Sequence, residues 1–272
     1  MKNKDHTASA MIISSLGGIM DGYSYAVRGG VFATGQTGNL VLLAHGFVSR
    51  DMPLFIRALT PIISFWFGVF AAQFILNHIP ARSNKTAIPR SMPAPADATA
   101  HAGTPIPAGT PTPAPGTVPG AGAHAPAPAS ETSVSRSWKT VILFVEFVTL
   151  FIIGFIPDDV LDIIPNTMIS FLAAMQFCCF KELGGKSTYA SVFCTGNMRS
   201  CAEQYYKWFA SRDTAARKKA FQYSGILLSF FAGAAGVMFL SSFMGIRAVW
   251  AGAAIAFSCW LYMLLSPGNP GE

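Results

Sequence analysis

Val31-Phe32-Ala33-Thr34-Gly35-Gln36-Thr37-Gly38-Asn39 is echoed, about 160 residues further on, by Val192-Phe193-Cys194-Thr195-Gly196-Asn197. Each copy sits in an apolar context and follows a hydrophobic segment with one polar residue in its interior half, Asp21 in the first and Gln176 in the second. A repeated, glycine-bearing, hydroxyl- and amide-rich segment inside lipid points to a solute path rather than to soluble enzymology.

Composition agrees with lipid contact. Of the 272 residues, 51% are hydrophobic and 12% are charged, where a soluble domain carries about 25% charged residues. The mean hydropathy is +0.42. The net charge of +6 follows from basic residues flanking membrane spans, and without a basic-aromatic platform it does not indicate nucleic acid. Five cysteines (Cys178, Cys179, Cys194, Cys201, Cys259) form no C-x-x-C pair. They read as reduced packing residues, with no metal or redox centre. The apolar run after the polar residues 1–10 continues into Asp21-Gly22-Tyr23-Ser24 without a cleavage pattern, so it reads as a retained first span.

Residues 80–137 hold 12 of the 18 prolines among Ala, Thr, Gly and Ser. Such a stretch cannot bury enough apolar surface to offset its ordering entropy and reads as a disordered cytoplasmic linker. It divides the membrane domain into a first part, 1–79, and a remainder, 138–272. At about 20 apolar residues per crossing, the candidate spans are 8–27, 58–79, 139–156, 160–180, 221–243 and 246–265. The motif segments 31–47 and 190–203 are short for crossings and are interrupted by Gly35 and Gly38 and by Gly196.

Charge counting separates two topologies. If only the six long spans cross and the N-terminus is inside, 15 of the 19 Lys and Arg fall inside. Arg28, Arg50, Arg57 and Arg247 are left outside, together with Asp158, Asp159 and Asp162. If both motif segments also cross, the basic residues divide evenly. The first obeys the positive-inside rule. The expected fold is therefore all-α, a polytopic membrane helical bundle with six crossings, both termini cytoplasmic, plus two broken, re-entrant Thr-Gly-Asn segments. With three crossings per half, the second half is inverted relative to the first. Phe65-Trp66-Phe67-Gly68 and Phe230-Phe231-Ala232-Gly233 match after the two motifs. This inverted 3+3 repeat is an architecture common among transporters.

The candidate path residues follow from that geometry. Thr37, Gly38 and Asn39 are expected to face Thr195, Gly196 and Asn197 across the pseudo-two-fold, their freed backbone holding an ion or small polar solute. The competing reading is close helix packing with Thr and Asn as hydrogen-bonding glue. Asp21 and Glu146 are intramembrane carboxylates, which by default mark an ion path or a buried partner; Asp21 also fits an N-cap after a glycine break. Gln176 takes the Asp21 position in the second copy. Arg199 and Glu203 have the i, i+4 spacing of a helical ion pair, the alternative being an Arg199 gate. Residues 204–219, with Tyr205, Tyr206, Trp208 and Phe209 before Arg212, Arg217, Lys218 and Lys219, read as an interfacial anchor. No P-loop, dinucleotide fingerprint, zinc-protease or serine-hydrolase motif is present in the sequence, so no catalytic residue, metal or cofactor is expected.

The stretches Gly17-Gly18-Ile19-Met20-Asp21-Gly22-Tyr23, Gly30-Val31-Phe32…Thr37-Gly38-Asn39-Leu40, Ala174-Met175-Gln176 and Val192-Phe193-Cys194-Thr195-Gly196-Asn197…Arg199 resemble the YoaK-type family of bacterial inner-membrane proteins, a domain of unknown function. The resemblance covers everything but the proline-rich stretch. It implies an inner-membrane location, an acidic position at Glu146 and no established activity. Phe177 stands where the family commonly has Asn after Gln. Together these readings lead to the expectation of a transporter or channel for a small polar or ionic solute, with proton coupling left open. Its partners would be the bilayer, the solute and a second copy in a homodimer. The alternative is a non-transporting membrane scaffold.

Overall fold

A computed structural model describes residues 2–78, 136–158, 162–180 and 194–265, with short pieces at 182–183 and 187–188. The expected linker, 80–137, lies outside these residues except for 136 and 137.

Apart from the connecting turns and a short antiparallel ladder, β1 (Glu182–Leu183) with β2 (Ser187–Thr188), the described residues are helical. In chain order the helices are α1 (Lys2–Val27), α2 (Gln36–Ser49), α3 (Met52–His78), α4 (Arg136–Ile153), α5 (Ile163–Cys179), α6 (Cys194–Ser211), α7 (Thr214–Met244) and α8 (Trp250–Leu265), with a 3₁₀ turn at Gly245–Val249. Each of the six expected spans coincides with a helix, and the two motifs open α2 and α6.

Local chemistry sets the boundaries. Asp213 Oδ1 accepts the Ala215 amide at 2.8 Å and caps α7. Arg50 ends α2 in the left-handed region at φ 58°, and Asp51 Oδ1 then accepts the Leu54 amide at 3.0 Å. Pro61 lies inside α3 and offers no N–H to the Arg57 carbonyl. The Thr60 hydroxyl donates to that carbonyl instead, at 3.3 Å.

Two helix pairs make the closest approaches. α1 lies along α7 and α3 along α5, while α2 packs on α3, α6 on α7 and α4 on α8. Smaller contacts join α4 to α5 and α1 to α8. Glycine lets backbones meet: a Cβ at Gly18 would fall on the Phe230 carbonyl, one at Gly233 on the Ser15 carbonyl, and one at Gly68 on the Phe171 carbonyl. The central apolar cluster draws Ile19, Met20 and Tyr23 from α1, Leu150 and Ile153 from α4, Ile169 and Ala173 from α5, and Val237 from α7.

The outer face is apolar too. Met52–His78 and Thr214–Leu265 are long and apolar enough to cross a membrane, and only 28% and 17% of their most apolar windows are buried by protein. A core helix of a soluble protein would be mostly covered. Trp66, Phe67 and Phe70 on α3, and Phe231, Phe239 and Phe243 on α7, point outward instead.

Candidate functional site

The expected break is present at Gly35, the last non-helical residue before α2, and absent at the other two motif glycines. Gly38 and Gly196 lie within the first turns of α2 and α6 and do not interrupt them. The unwound backbone lies just before α2, with Gly29 and Gly30 at φ 83° and 75°. Asp21 likewise follows no glycine break, because α1 runs unbroken through Gly17, Gly18 and Gly22.

Residues 32–35 thread between α1 and α5, and their peptide groups are hydrogen-bonded in detail. Asn39 Oδ1 accepts the Phe32 amide at 2.9 Å, and Asn39 Nδ2 donates to the Phe32 carbonyl and to Gln36 Oε1. The Ala33 amide donates to Ser24 Oγ at 3.0 Å, and the Ala33 carbonyl accepts from Ser170 Oγ and Gln36 Nε2. Asp21 Oδ1 accepts the Thr34 and Gly35 amides at 2.7 and 3.3 Å. Asp21 therefore acts as a capping carboxylate delivered to the head of α2 from another helix, where the helix dipole favours negative charge. Buried backbone must be paired, and here Asp21, Ser24, Gln36, Asn39 and Ser170 do the pairing. The freed carbonyls expected to hold a solute are already occupied.

The two motifs behave alike in burial. Asn39 and Asn197 are buried, whereas Thr37, Thr195 and Gly196 are exposed and Gly38 is half-buried. A Cβ at Gly196 would meet open space, so the Thr-Gly segments are not packed face to face.

Arg199 takes the simpler of its two readings. Its Nε donates to Glu203 Oε1 at 2.8 Å on an exposed face, with the side chains 83% and 50% accessible. Exposed pairs of this kind contribute about 0.3–0.5 kcal/mol. Arg199→Ala should change thermal stability by no more than about 0.5 kcal/mol, as read by an unfolding scan of purified protein; a larger loss would indicate a role in the fold interior.

Glu146 and Gln176, assigned to different halves by the sequence, meet. Both are fully buried, and Gln176 Nε2 on α5 donates to Glu146 Oε1 on α4 at 3.3 Å. Glu146 Oε2 and Gln176 Oε1 have no hydrogen-bond partner. Leu143 and Leu150 on α4 are buried on either side of Glu146 along the helix, and Cys259 of α8 is in electrostatic range. Here alone among the candidate residues, buried polar atoms remain unspent.

One buried group was missed altogether. Arg28, expected as an outside loop charge, is wholly inaccessible. Its Nε donates to the Tyr23 hydroxyl at 2.9 Å, and its two terminal nitrogens donate to the Ile156 and Pro157 carbonyls at 2.6 and 3.2 Å. Asp158 and Asp162 stand further off, at 3.9 and 3.8 Å, and Asn166 Nδ2 donates to the Arg28 carbonyl at 2.7 Å. Charge complementarity was the available signal, because Arg28 and the acidic residues fell on the same side of the expected topology.

The class is thus an all-helical protein with apolar helices of membrane-crossing length around a small polar interior. The chain belongs to the DUF1275 family, described as a protein of unknown function, whose profile matches residues 9–94 and 120–262; the YoaK-type resemblance is in agreement with it. Residues 95–119, in the middle of the proline-rich stretch, are left unmatched. No curated protein matches the chain, and no solved structure does.

Proposed function

We propose that the chain crosses a bacterial inner membrane six times, with both termini cytoplasmic, and serves as a transporter or channel for a small polar or ionic solute. The carrying observation is the Glu146–Gln176 pair, a carboxyl and an amide wholly enclosed among apolar helices with one oxygen each unpartnered. Ionisable groups at such depth are costly and mark ion or solute paths.

The packing pattern supports an inverted repeat. Exchanging α1 with α5, α2 with α6, α3 with α7 and α4 with α8 maps α1·α7 onto α3·α5, α2·α3 onto α6·α7, and α4·α8 onto itself. The glycine contacts follow the same exchange, Gly68 meeting α5 as Gly233 meets α1. In this reading Asp21 and the Asn39 clamp hold the unwound strand in shape, and Glu146 carries the polar centre.

Purified full-length protein in liposomes, screened for solute-driven and proton-driven flux, tests the proposal. Wild type should support flux, and Glu146→Gln should abolish it while leaving the elution profile and helix content unchanged. Equal flux from the variant removes Glu146 from the path. A scaffold is the second reading, favoured by the use of the Gln36 and Asn39 side chains in holding the first motif's own backbone. Absence of flux for every solute, with Glu146→Gln disturbing only a partner complex, would establish that reading instead.

A further inference from the structure

The Glu146–Gln176 pair has a chemical asymmetry. An amide presents one donor edge and one acceptor edge, and a carboxylate presents two acceptors. The observed bond joins amide donor to carboxylate oxygen and leaves two acceptors, Glu146 Oε2 and Gln176 Oε1, buried without a donor. Those two atoms are the ones that a neutral acid completes. A proton on Oε2 turns that oxygen into a donor, and the amide carbonyl of the same Gln176 side chain is its acceptor.

We infer that Glu146 and Gln176 form a proton-holding site, in which the resting protein carries a proton on the Glu146 carboxyl, bonded to the Gln176 amide. The inference rests on Glu146 as the polar centre and names the ion it takes.

Three observations favour a proton over a metal cation or a counter-charge. First, a bound Ca²⁺ collects about six to eight oxygen ligands, and among the described residues no group of three or more His, Cys, Asp or Glu could hold a metal ion. Two leftover oxygens suffice for one proton and fall well short of such a shell. Second, the ion pairs found among the described residues join Arg28 to Asp158 and Asp162, and Arg199 to Glu203; none of them reaches Glu146. Third, among the described residues α5 offers Glu146 the neutral Gln176 amide, and α8 packs Cys259 in the cluster of Leu143, one turn away; Arg247 of the 3₁₀ turn packed on α4 lies over the Trp250 ring instead. An ionised carboxylate there would be an unpaired buried charge, which is strongly disfavoured, whereas the neutral acid costs no more than a satisfied polar pair.

Loss of the proton leaves the pair partly bonded. When the proton leaves Oε2, the amide N–H bond to Oε1 remains and partly holds the anion. The pair therefore acts as a proton store that a change in water access through α4, α5 or α8 would empty. Gln176 is a positioning residue, and Glu146 is the group that binds.

Infrared difference spectroscopy of the full-length protein in lipid nanodiscs tests this without any transport assay. At neutral pH, the expected spectrum contains a protonated-carboxyl C=O band that disappears in Glu146→Gln. In Gln176→Leu the band should move to the frequency of an acid without a hydrogen-bond partner. A hydrophobic carbodiimide, which requires the acid proton to react, should label Glu146 in the unmodified protein, as read by peptide mass spectrometry. A neutral-pH spectrum showing Glu146 as carboxylate, a carboxyl band removed by added sodium, or a band unmoved by Gln176→Leu overturns the inference. If the band is present and no flux is found, proton holding stands and transport falls. If flux is found with Glu146 ionised at rest, transport stands and proton holding falls.

Discussion

Arg28→Leu should destabilise the protein by about 3–5 kcal/mol, because three acceptors are left without their donor. The loss comes mainly from neutral hydrogen bonds. Tyr23, Ile156 and Pro157 each lose a donor at 2.6–3.2 Å, and a buried polar group left without its partner costs about 1–3 kcal/mol. The carboxylates matter less, since both stand beyond hydrogen-bond distance and the Asp158 side chain is 77% exposed to solvent. Arg28→Lys should recover only part of the loss, because an ammonium cannot spread donors over three acceptors as the planar fork does. Thermal unfolding in detergent, followed by circular dichroism, reads the series. A leucine variant within 1 kcal/mol of wild type by rough calorimetric estimate would mean that Arg28 is not what ties the end of α1 to the α4–α5 connection.

Gly68→Ala and Gly233→Ala should each cost about 1–3 kcal/mol, the usual penalty of overpacking, and they should do so for the same reason. The added methyl falls on the Phe171 carbonyl in the first and the Ser15 carbonyl in the second. A backbone atom cannot swing aside as a side-chain tip would, so the helix pair itself must move apart. Gly236→Ala is the control on the same helix as Gly233. It meets nothing within contact distance and should be neutral or slightly stabilising, as alanine favours helix over glycine by up to about 1 kcal/mol. Equal losses at the two buried glycines, beside a silent Gly236, are the expected result of the same unfolding measurement. A silent Gly68 beside a damaging Gly233 would show that the two helix pairs are not equivalent in packing.

The helices were largely legible because span length and apolar run are local properties of the chain, imposed by the need to satisfy backbone groups within each segment. The six expected spans appear as α1, α3, α4, α5, α7 and α8, with ends displaced by up to seven residues, and the two segments expected to be broken appear as helices α2 and α6. The matching of Gly68 with Gly233 was legible as spelling, and its meaning, two close backbone approaches, followed only from packing. The polar interior was less legible. Asp21, Asn39 and Gln176 were singled out as candidate path residues and all three are buried, yet their partners lie 13, 7 and 30 residues away in the sequence, and no periodicity encodes such pairings. Ser24, Asn166 and Ser170 escaped notice because a serine or asparagine in an apolar run is ordinary until a specific carbonyl or amide is set opposite it.

The sequence by itself determined where this chain is apolar, how long each apolar run is, that its two halves share a motif, and which carboxylates lie within apolar runs. Those are consequences of residue order and transfer energetics. Only the tertiary structure decided which of the polar groups are spent and which remain. Asp21 and Asn39 are consumed by an unwound strand, Arg28 by two carbonyls and a tyrosine, and Glu146 with Gln176 retain two unpaired oxygens. The reason is physical: a hydrogen bond needs both atoms within about 3 Å, and which atoms reach that distance is settled when helices dock, after every local preference has already been met.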